Sequence, residues 1–449
     1  MSSGRRRLAE EIMSGEARVD GRALVACSTL IETVRDDLRS GGVGPDSVVI
    51  LTDLSVSDLL IGMVATWLLD AVPFVTPHGG KLPSTLRDKC QLRGGLEISP
   101  AGSRGVVPGL ERTAVLMPTS GSTGVPKVAR RGVSSVRAEA NGYREYLRLT
   151  FEDRVAVPVP VTHSYGMGVT ISALLAGCDV DTTPPTRLPT VAGRMDSGAV
   201  SVVALTAPIA RLLVEAKRDG DKTVRAALVG AGSVPDELDR AFLERFRRPL
   251  DRGYGSTETG GTFLGARGIG RPIAGVGVRS PAPGGRGELV LKLAAPVEGA
   301  LEGGVPVDVW HTGDIVERDT DGTCRFVDRI QEALRVNGRY VDQDEIVPGL
   351  RAMARVTDVH LVVLNREKTP EAQDIHAVVE AGKKIDESVL RKYISALRPG
   401  VPRPRITQCS RIPRNAVGKI DREALIGLIR EEESSKTARE APGNRNSGR

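Results

Sequence analysis

Short runs of β-branched residues alternate with helical segments along the first half of the chain, and this rhythm limits the possible folds more than any other feature. Ser47 to Thr52 (SVVILT) reads as a compact strand, SDLLIGMVATWLLDA as a helix with Asp58 near its start, and VPFVTP as a strand again. The rhythm returns at Arg154 to Val159, Val200 to Leu205 and Arg225 to Val229, with a helical run at Pro208 to Lys217. Strand and helix alternating at this spacing predict parallel sheets covered on both faces, an α/β fold. From Gly270 to Arg325 the texture changes to Gly/Pro turns between short strands, which predicts antiparallel structure with Asp321-Gly322 as a hairpin turn.

Beyond Asp328 the pattern describes a separate, smaller unit. It predicts strands at Val356 to Leu364 and Asp374 to Val379, a helix at Glu387 to Leu397, a Pro-rich crossing (RPGVPRPR) and a last helix from about Asp421. From Glu432 onward large apolar residues almost vanish, which predicts a disordered tail over 432–449. The expected organisation is a large multi-sheet body over 1–328, a small α+β unit over 329–431, and that tail.

Composition closes off other classes. Hydrophobic residues make up 40% of the 449, enough for a core, but aromatics only 3%, so Val, Leu, Ala and Ile must fill it. Wholesale disorder, collagen and a disulfide scaffold are excluded. A net charge of +6 over this length makes no case for nucleic acid. Five scattered cysteines form no CxxC pair, and the histidines are also five, which predicts no structural zinc. The basic start MSSGRRRLAEEIMSGE has no apolar stretch behind it and does not read as a secretory signal. Leu59 to Leu69 stops at Asp70, well short of the roughly 20 residues a membrane span needs. The expectation is a cytoplasmic protein without membrane or nucleic-acid partners.

Four segments carry chemistry. PTSGSTGVPK, Pro118 to Lys127, sets hydroxyls of Thr119, Ser120, Ser122 and Thr123 among glycines, between a strand-like AVLM and a downstream helical run. Glycines let successive N–H groups converge on an anion, and hydroxyls and a lysine add donors for phosphate oxygens. It is no Walker loop, because Val125-Pro126 precedes the lysine and Val128 follows it. A plain Ser/Gly turn is the competing reading. YGSTE, Tyr254 to Glu258, offers a ring to stack on a base, a hydroxyl for a phosphate and a carboxylate suited to Mg²⁺; an ordinary polar turn competes. Thr312-Gly313-Asp314 puts a carboxylate on a turn where it can accept from both hydroxyls of a ribose, with Arg329 following, and an ordinary hairpin competes. In IPRNAVGKI, Lys419 can swing a positive charge onto a phosphate, or it is a surface lysine before the last helix.

In this order and spacing the segments resemble the adenylate-forming (AMP-binding) superfamily of acyl-CoA and aryl-CoA ligases, peptide-synthetase adenylation domains and luciferases. PTSGSTGVPK is similar to its phosphate loop, YGSTE to its adenine and magnesium segment, and WHTGD to its ribose turn. DRIQEALRVNGRYVDQDEI is similar to its hinge and IPRNAVGKIDREAL to the lysine loop of its mobile C-terminal lid. The likeness runs from about Val115 to Leu425 and is weaker before residue 110.

The resemblance implies that Thr119, Ser120, Ser122, Thr123 and Lys127 surround the phosphates of ATP. It implies that Gly230-Ala231-Gly232 flanks the adenine and that Tyr254, leading into Gly255, lies against it. Thr257 then contacts the α-phosphate, Glu258 the Mg²⁺, and Asp314 and Arg329 the ribose. Lys419 bridges the carboxylate and the α-phosphate, and His163, in PVTHSYG, stands beside the acid. The implied reaction has two steps. A carboxylate first attacks the α-phosphorus to give acyl-adenylate and pyrophosphate. The lid then turns to bring Val336-Asn337-Gly338 to the site for attack by a thiol, from coenzyme A or a carrier-protein phosphopantetheine. Gln331 and Glu332 depart from the family's hinge, and its proline is absent from Tyr340 to Glu345. THSYGMG offers no acid to hold an ammonium, so the expected substrate is an aryl or acyl carboxylate rather than an amino acid. The alternatives are activation of another oxyanion, such as nitrite for diazotising an aryl amine, transfer to an amine, or a non-catalytic binding protein.

Overall fold

The computed structural model describes residues 3–77, 82–87, 89–99, 107–119, 127–216, 223–329, 335–336, 339–340, 346–366, 373–397, 403–414 and 420–440. The chain divides into two compact units, Met1–Val327 and Asp328–Arg449.

Two mixed sheets build the core of the first unit. In the six-stranded sheet, Cys90–Arg93, Val48–Leu51, Val72–Val75 and Thr113–Pro118 run parallel. Antiparallel edge strands Glu97–Ser99 and Val128–Gly132 close its two sides. The nine-stranded sheet has a parallel centre in the order Leu250–Ser256, Ala226–Val229, Val202–Leu205, Arg154–Ala156, Asp179–Asp181. Strands such as Val48–Leu51 and Val202–Leu205 are buried at every position, as expected of sheets covered on both faces. The helix Val56–Leu68 forms where the sequence predicts it, with Ser55 as N-cap accepting from the Asp58 N–H. Val, Leu, Ile and Ala dominate the core, with Trp67 and Tyr143 among its largest members.

The first helix, Gly4–Ser14, belongs to this core rather than to the surface. Leu8, Ala9 and Ile12 are fully enclosed. Arg5 is buried as well, donating to the carbonyls of Leu110 (2.6 Å) and Thr113 (3.0 Å) and pairing with Asp46 at 2.5 Å. The basic cluster at the start thus has one member that acts as an internal tie.

The antiparallel region predicted from Gly270 is a four-stranded sheet in the order Gly277–Ser280, Arg286–Val297, Val307–Arg318, Cys324–Arg329. Asp321-Gly322 does form the turn before its last strand, Gly322 at φ +88° and the Asp321 carboxylate accepting from the Thr323 N–H.

The second unit has a three-stranded sheet in which Gln373–Ala381 pairs antiparallel with Val356–Asn365 and parallel with Arg405–Cys409. Helices Glu387–Ala396 and Arg422–Glu440 accompany it. The tail expected from Glu432 therefore begins as helix. Its Glu, Lys, Arg and Ala residues are strong helix formers, and Glu433 pairs with Arg405 at 2.9 Å. Scarcity of apolar residues rules out a core there, not a helix. Residues 441–449 lie outside the described residues.

All five cysteines are free, and no helix among the described residues is long and apolar enough to cross a membrane.

Candidate active site

Three of the predicted segments meet at one edge of the nine-stranded sheet. Its central strands run parallel, so their carboxyl ends share an edge, and ligands of open α/β sheets bind outside that edge. His163 lies beyond Arg154–Ala156 as N-cap of the helix Ser164–Leu175. Gly230-Ala231-Gly232 directly follows Ala226–Val229, and Tyr254 and Gly255 close Leu250–Ser256.

Contacts tie these ends together. The Tyr165 hydroxyl donates to the Leu228 carbonyl at 3.0 Å, and its ring lies flat against Gly230. A Cβ at Gly230 would come 2.5 Å from that ring, so this position admits only glycine without rearrangement. Burial drives the Tyr165 phenol far above its usual pKa, so it remains a donor. Ala231 holds a left-handed φ of +61°, a strained state of the kind that concentrates at functional turns. No sequence motif marks Tyr165, although it stands two residues after His163.

The hairpin after Leu250–Ser256 displays Thr257 and Glu258. Its register shifts between Tyr254 and Gly255, and a Cβ on Gly255 would strike the Gly260 carbonyl. Bulges re-aim side chains in this way. Ser256 and Thr259 then exchange hydrogen bonds: the Ser256 N–H donates to Thr259 Oγ1 (3.1 Å), and the Thr259 N–H to Ser256 Oγ (3.2 Å). This reciprocal clasp leaves half-buried Thr257 and Glu258 at the tip.

Asp314 joins the site through Tyr254, whose hydroxyl donates to Asp314 Oδ2 at 2.5 Å. The Tyr254 ring also meets Phe263 edge-on at 5.8 Å. Asp314 is 2% exposed. The sequence predicted a turn at Thr312-Gly313-Asp314, and the structure corrects this. The three lie inside the long strand Val307–Arg318, in an irregularity where Glu288 faces Ile315 and Val290 faces His311. Gly313 kinks the strand at φ +72°, and Thr312 Oγ1 accepts from the Asp314 N–H at 3.1 Å. Arg329 ends the strand Cys324–Arg329 and is exposed.

The Gly/Ser loop also differs from expectation. It joins two antiparallel strands, Thr113–Pro118 and Val128–Gly132, and the helix Val133–Leu147 begins only after the second. Among the described residues, a strand and not a helix N-terminus directly follows the loop. Its two ends are pinned: the Thr119 N–H and Oγ1 both donate to the Lys127 carbonyl, at 2.7 and 3.2 Å, while the Lys127 side chain is exposed. Ser120, Ser122 and Thr123, the hinge residues Gln331 and Glu332, Asn337-Gly338 and Lys419 lie outside the described residues.

Among the described residues no three His, Cys, Asp or Glu side chains converge as a metal cage. Mg²⁺ does not require one, because it commonly takes one or two carboxylates with substrate phosphates and water. Glu258 suits that role.

The candidate site is therefore a parallel sheet edge with a strained small-residue turn and a bulged tyrosine hairpin. The family model described as AMP-binding enzyme matches residues 88–295. The 4-coumarate–CoA ligase-like 2 protein of Arabidopsis thaliana is 23% identical over 348 residues, covering 70% of this chain and 61% of that protein. The chain thus matches less than two thirds of the plant protein's length. ATP-bound MatB from Rhodopseudomonas palustris superposes with a TM-score of 0.78 at 17% identity, covering 96% of this chain and 99% of that one. The O-succinylbenzoate coenzyme A synthetase of Bacillus subtilis, in complex with ATP and magnesium ion, gives 0.74 at 17% identity, covering 91% and 96%. The chain is thus similar to AMP-binding enzymes over residues 88–295, and it shares the fold of the two ligand-bound synthetases.

Proposed function

We propose that this protein activates an aryl or acyl carboxylate with ATP, as an acyl-adenylate, and passes the acyl group to a thiol. The observation that carries the reading is the meeting of Tyr165, Gly230, Tyr254 and Asp314 at one sheet edge, where a ring, a tight turn and a buried carboxylate suit an adenosine. Nucleotidyl transfer depends on placed charge more than on covalent help, and the residues divide the work accordingly.

Tyr254 offers its face to the base, and Asp314 accepts from ribose hydroxyls with Arg329 as a second ribose contact. Gly230-Ala231-Gly232 lines the adenine. Thr119, Ser120, Ser122, Thr123 and Lys127 hold the phosphates, and Thr257 meets the α-phosphate. Glu258 would hold Mg²⁺, which when bound neutralises phosphate charge. His163 orients the acid, whose carboxylate oxygen bonds to the α-phosphorus as the bond to pyrophosphate breaks. Lys419 supplies the charge that steadies that transfer. Coenzyme A is the acceptor favoured by the named relatives, with carrier-protein phosphopantetheine as the other thiol.

ATP–pyrophosphate exchange over a panel of aromatic and fatty acids tests this directly. Exchange should rise above background with at least one acid, coenzyme A should then yield the thioester, and Lys419→Ala should abolish the exchange. Background exchange across the whole panel sinks the proposal.

A further inference from the structure

The strand Val128–Gly132, one arm of the phosphate-loop hairpin, is buried along its length although it contains two consecutive arginines. Successive strand residues point to opposite faces, and the two guanidiniums do so. Arg130 donates to the carbonyls of Gly109 (3.1 Å), Gly304 (2.5 Å) and Glu298. Arg131 instead pairs with Glu139 on the helix Val133–Leu147 at 2.8 Å, with side chains 3% and 4% exposed.

Glu139 does not stop at that pair. Its Oε1 accepts from the Gly261 N–H at 2.6 Å, just past the turn that displays Thr257 and Glu258. One helical turn earlier, Ser135 Oγ donates to the Thr259 carbonyl at 3.4 Å. The surroundings are shaped to this contact: a Cβ on Gly168 or Gly260 would collide with the pair, and one on Gly261 would meet the Tyr143 hydroxyl at 2.5 Å. Gly260 has a φ of +74°.

An ion pair this deep is a poor source of stability, since apolar side chains of equal volume commonly serve as well or better. What charge and hydrogen-bond direction provide is a fixed spacing. We infer that Arg131 and Glu139 are positioning residues that set the Thr257–Glu258 turn against the hairpin carrying the phosphate loop. The inference rests on the adenylation reading for its catalytic consequence, because those two segments are the ones assigned to the phosphates and Mg²⁺.

The test uses the full chain with the double variant Arg131→Met/Glu139→Gln, which keeps volume and an acceptor for Gly261 but removes the charges. Glu139→Gln alone strands a buried guanidinium and serves as the misfolding control. Expected are at least a tenfold lower exchange kcat with the KM for the acid within twofold of native, and partial recovery in Arg131→Lys. Amide hydrogen exchange should quicken at least tenfold over Thr257–Gly261 while Val202–Leu205 stays protected. A double variant with native kcat, or with protection lost equally at both sites, overturns the inference. If the native protein shows no exchange with any acid, the adenylation reading has failed, and amide exchange alone decides: unchanged protection at Thr257–Gly261 in the double variant refutes the positioning role.

Discussion

Replacing Tyr254 by Phe separates two roles that the native side chain combines. The hydroxyl donates to Asp314 Oδ2 at 2.5 Å, and the acceptor is 2% exposed, so water is poorly placed to replace it. A hydrogen bond to a charged group contributes about 1.5–3 kcal/mol net, and the ligand-free protein should lose about that much stability. The phenyl ring, still set edge-on to Phe263, remains available to a base. On the proposed reading, ribose hydroxyls bring new donors to the same carboxylate. ATP should therefore stabilise the Phe variant more than the native protein, by ligand linkage. On that reading the arriving sugar competes with the phenol for the Asp314 carboxylate. If that competition costs about 1 kcal/mol, Tyr254→Phe lowers the KM for ATP up to roughly fivefold. Thermal unfolding with and without ATP, beside exchange kinetics, reads both quantities. A variant with native stability and a KM for ATP raised more than tenfold would refute the reasoning and make the hydroxyl itself a nucleotide contact.

Two further predictions concern the same sheet. Gly230→Ala forces its methyl against a Tyr165 ring pinned by Leu228, and should cost about 1–3 kcal/mol from overpacking; adding Tyr165→Leu should return most of it in denaturant unfolding, and a single variant of native stability would contradict the packing. At the opposite, amino edge, Asp153 accepts from Arg225 Nε (2.8 Å), Ser201 Oγ (2.7 Å) and the Thr150 N–H (2.9 Å). Burial pushes its pKa up, but these bonds together hold it below the ordinary carboxylate value. Its stabilising contribution is therefore present above the unfolded value near pH 3.9 and lost as pH falls through the folded one. Arg225→Met should cost roughly 3 kcal/mol at pH 7 and flatten the acid limb of the stability–pH curve; an unchanged limb would rule the clasp out.

Sequence resolves those features whose cause is local. Val48–Leu51, the Ser55-capped helix and Val72–Val75 could be read because β-branched runs and a cap act within a few residues. His163, Gly230 and Tyr254 were individually visible, and the parallel topology explains their meeting at one edge. Arg131 and Glu139 were not visible, since charged residues in VARRGVSSVRAEA look like solvated ones unless paired out of water. The same limit explains the phosphate loop. VARRG runs without a break into the following helical pattern, while its pairing with Thr113–Pro118 depends on contacts across the loop. At Gly313, a glycine signals a left-handed φ but not whether it closes a turn or kinks a long strand; its partner Glu288 decides that from 25 residues away.

The first helix has a practical consequence for anyone producing the protein. Met13 is an in-frame methionine immediately after Ile12. A polypeptide begun there would lack Arg5, Leu8, Ala9 and Ile12, leaving a trough in the core and removing a guanidinium from Leu110, Thr113 and Asp46. Shortening the chain past this helix is therefore a question of core integrity rather than of surface trimming.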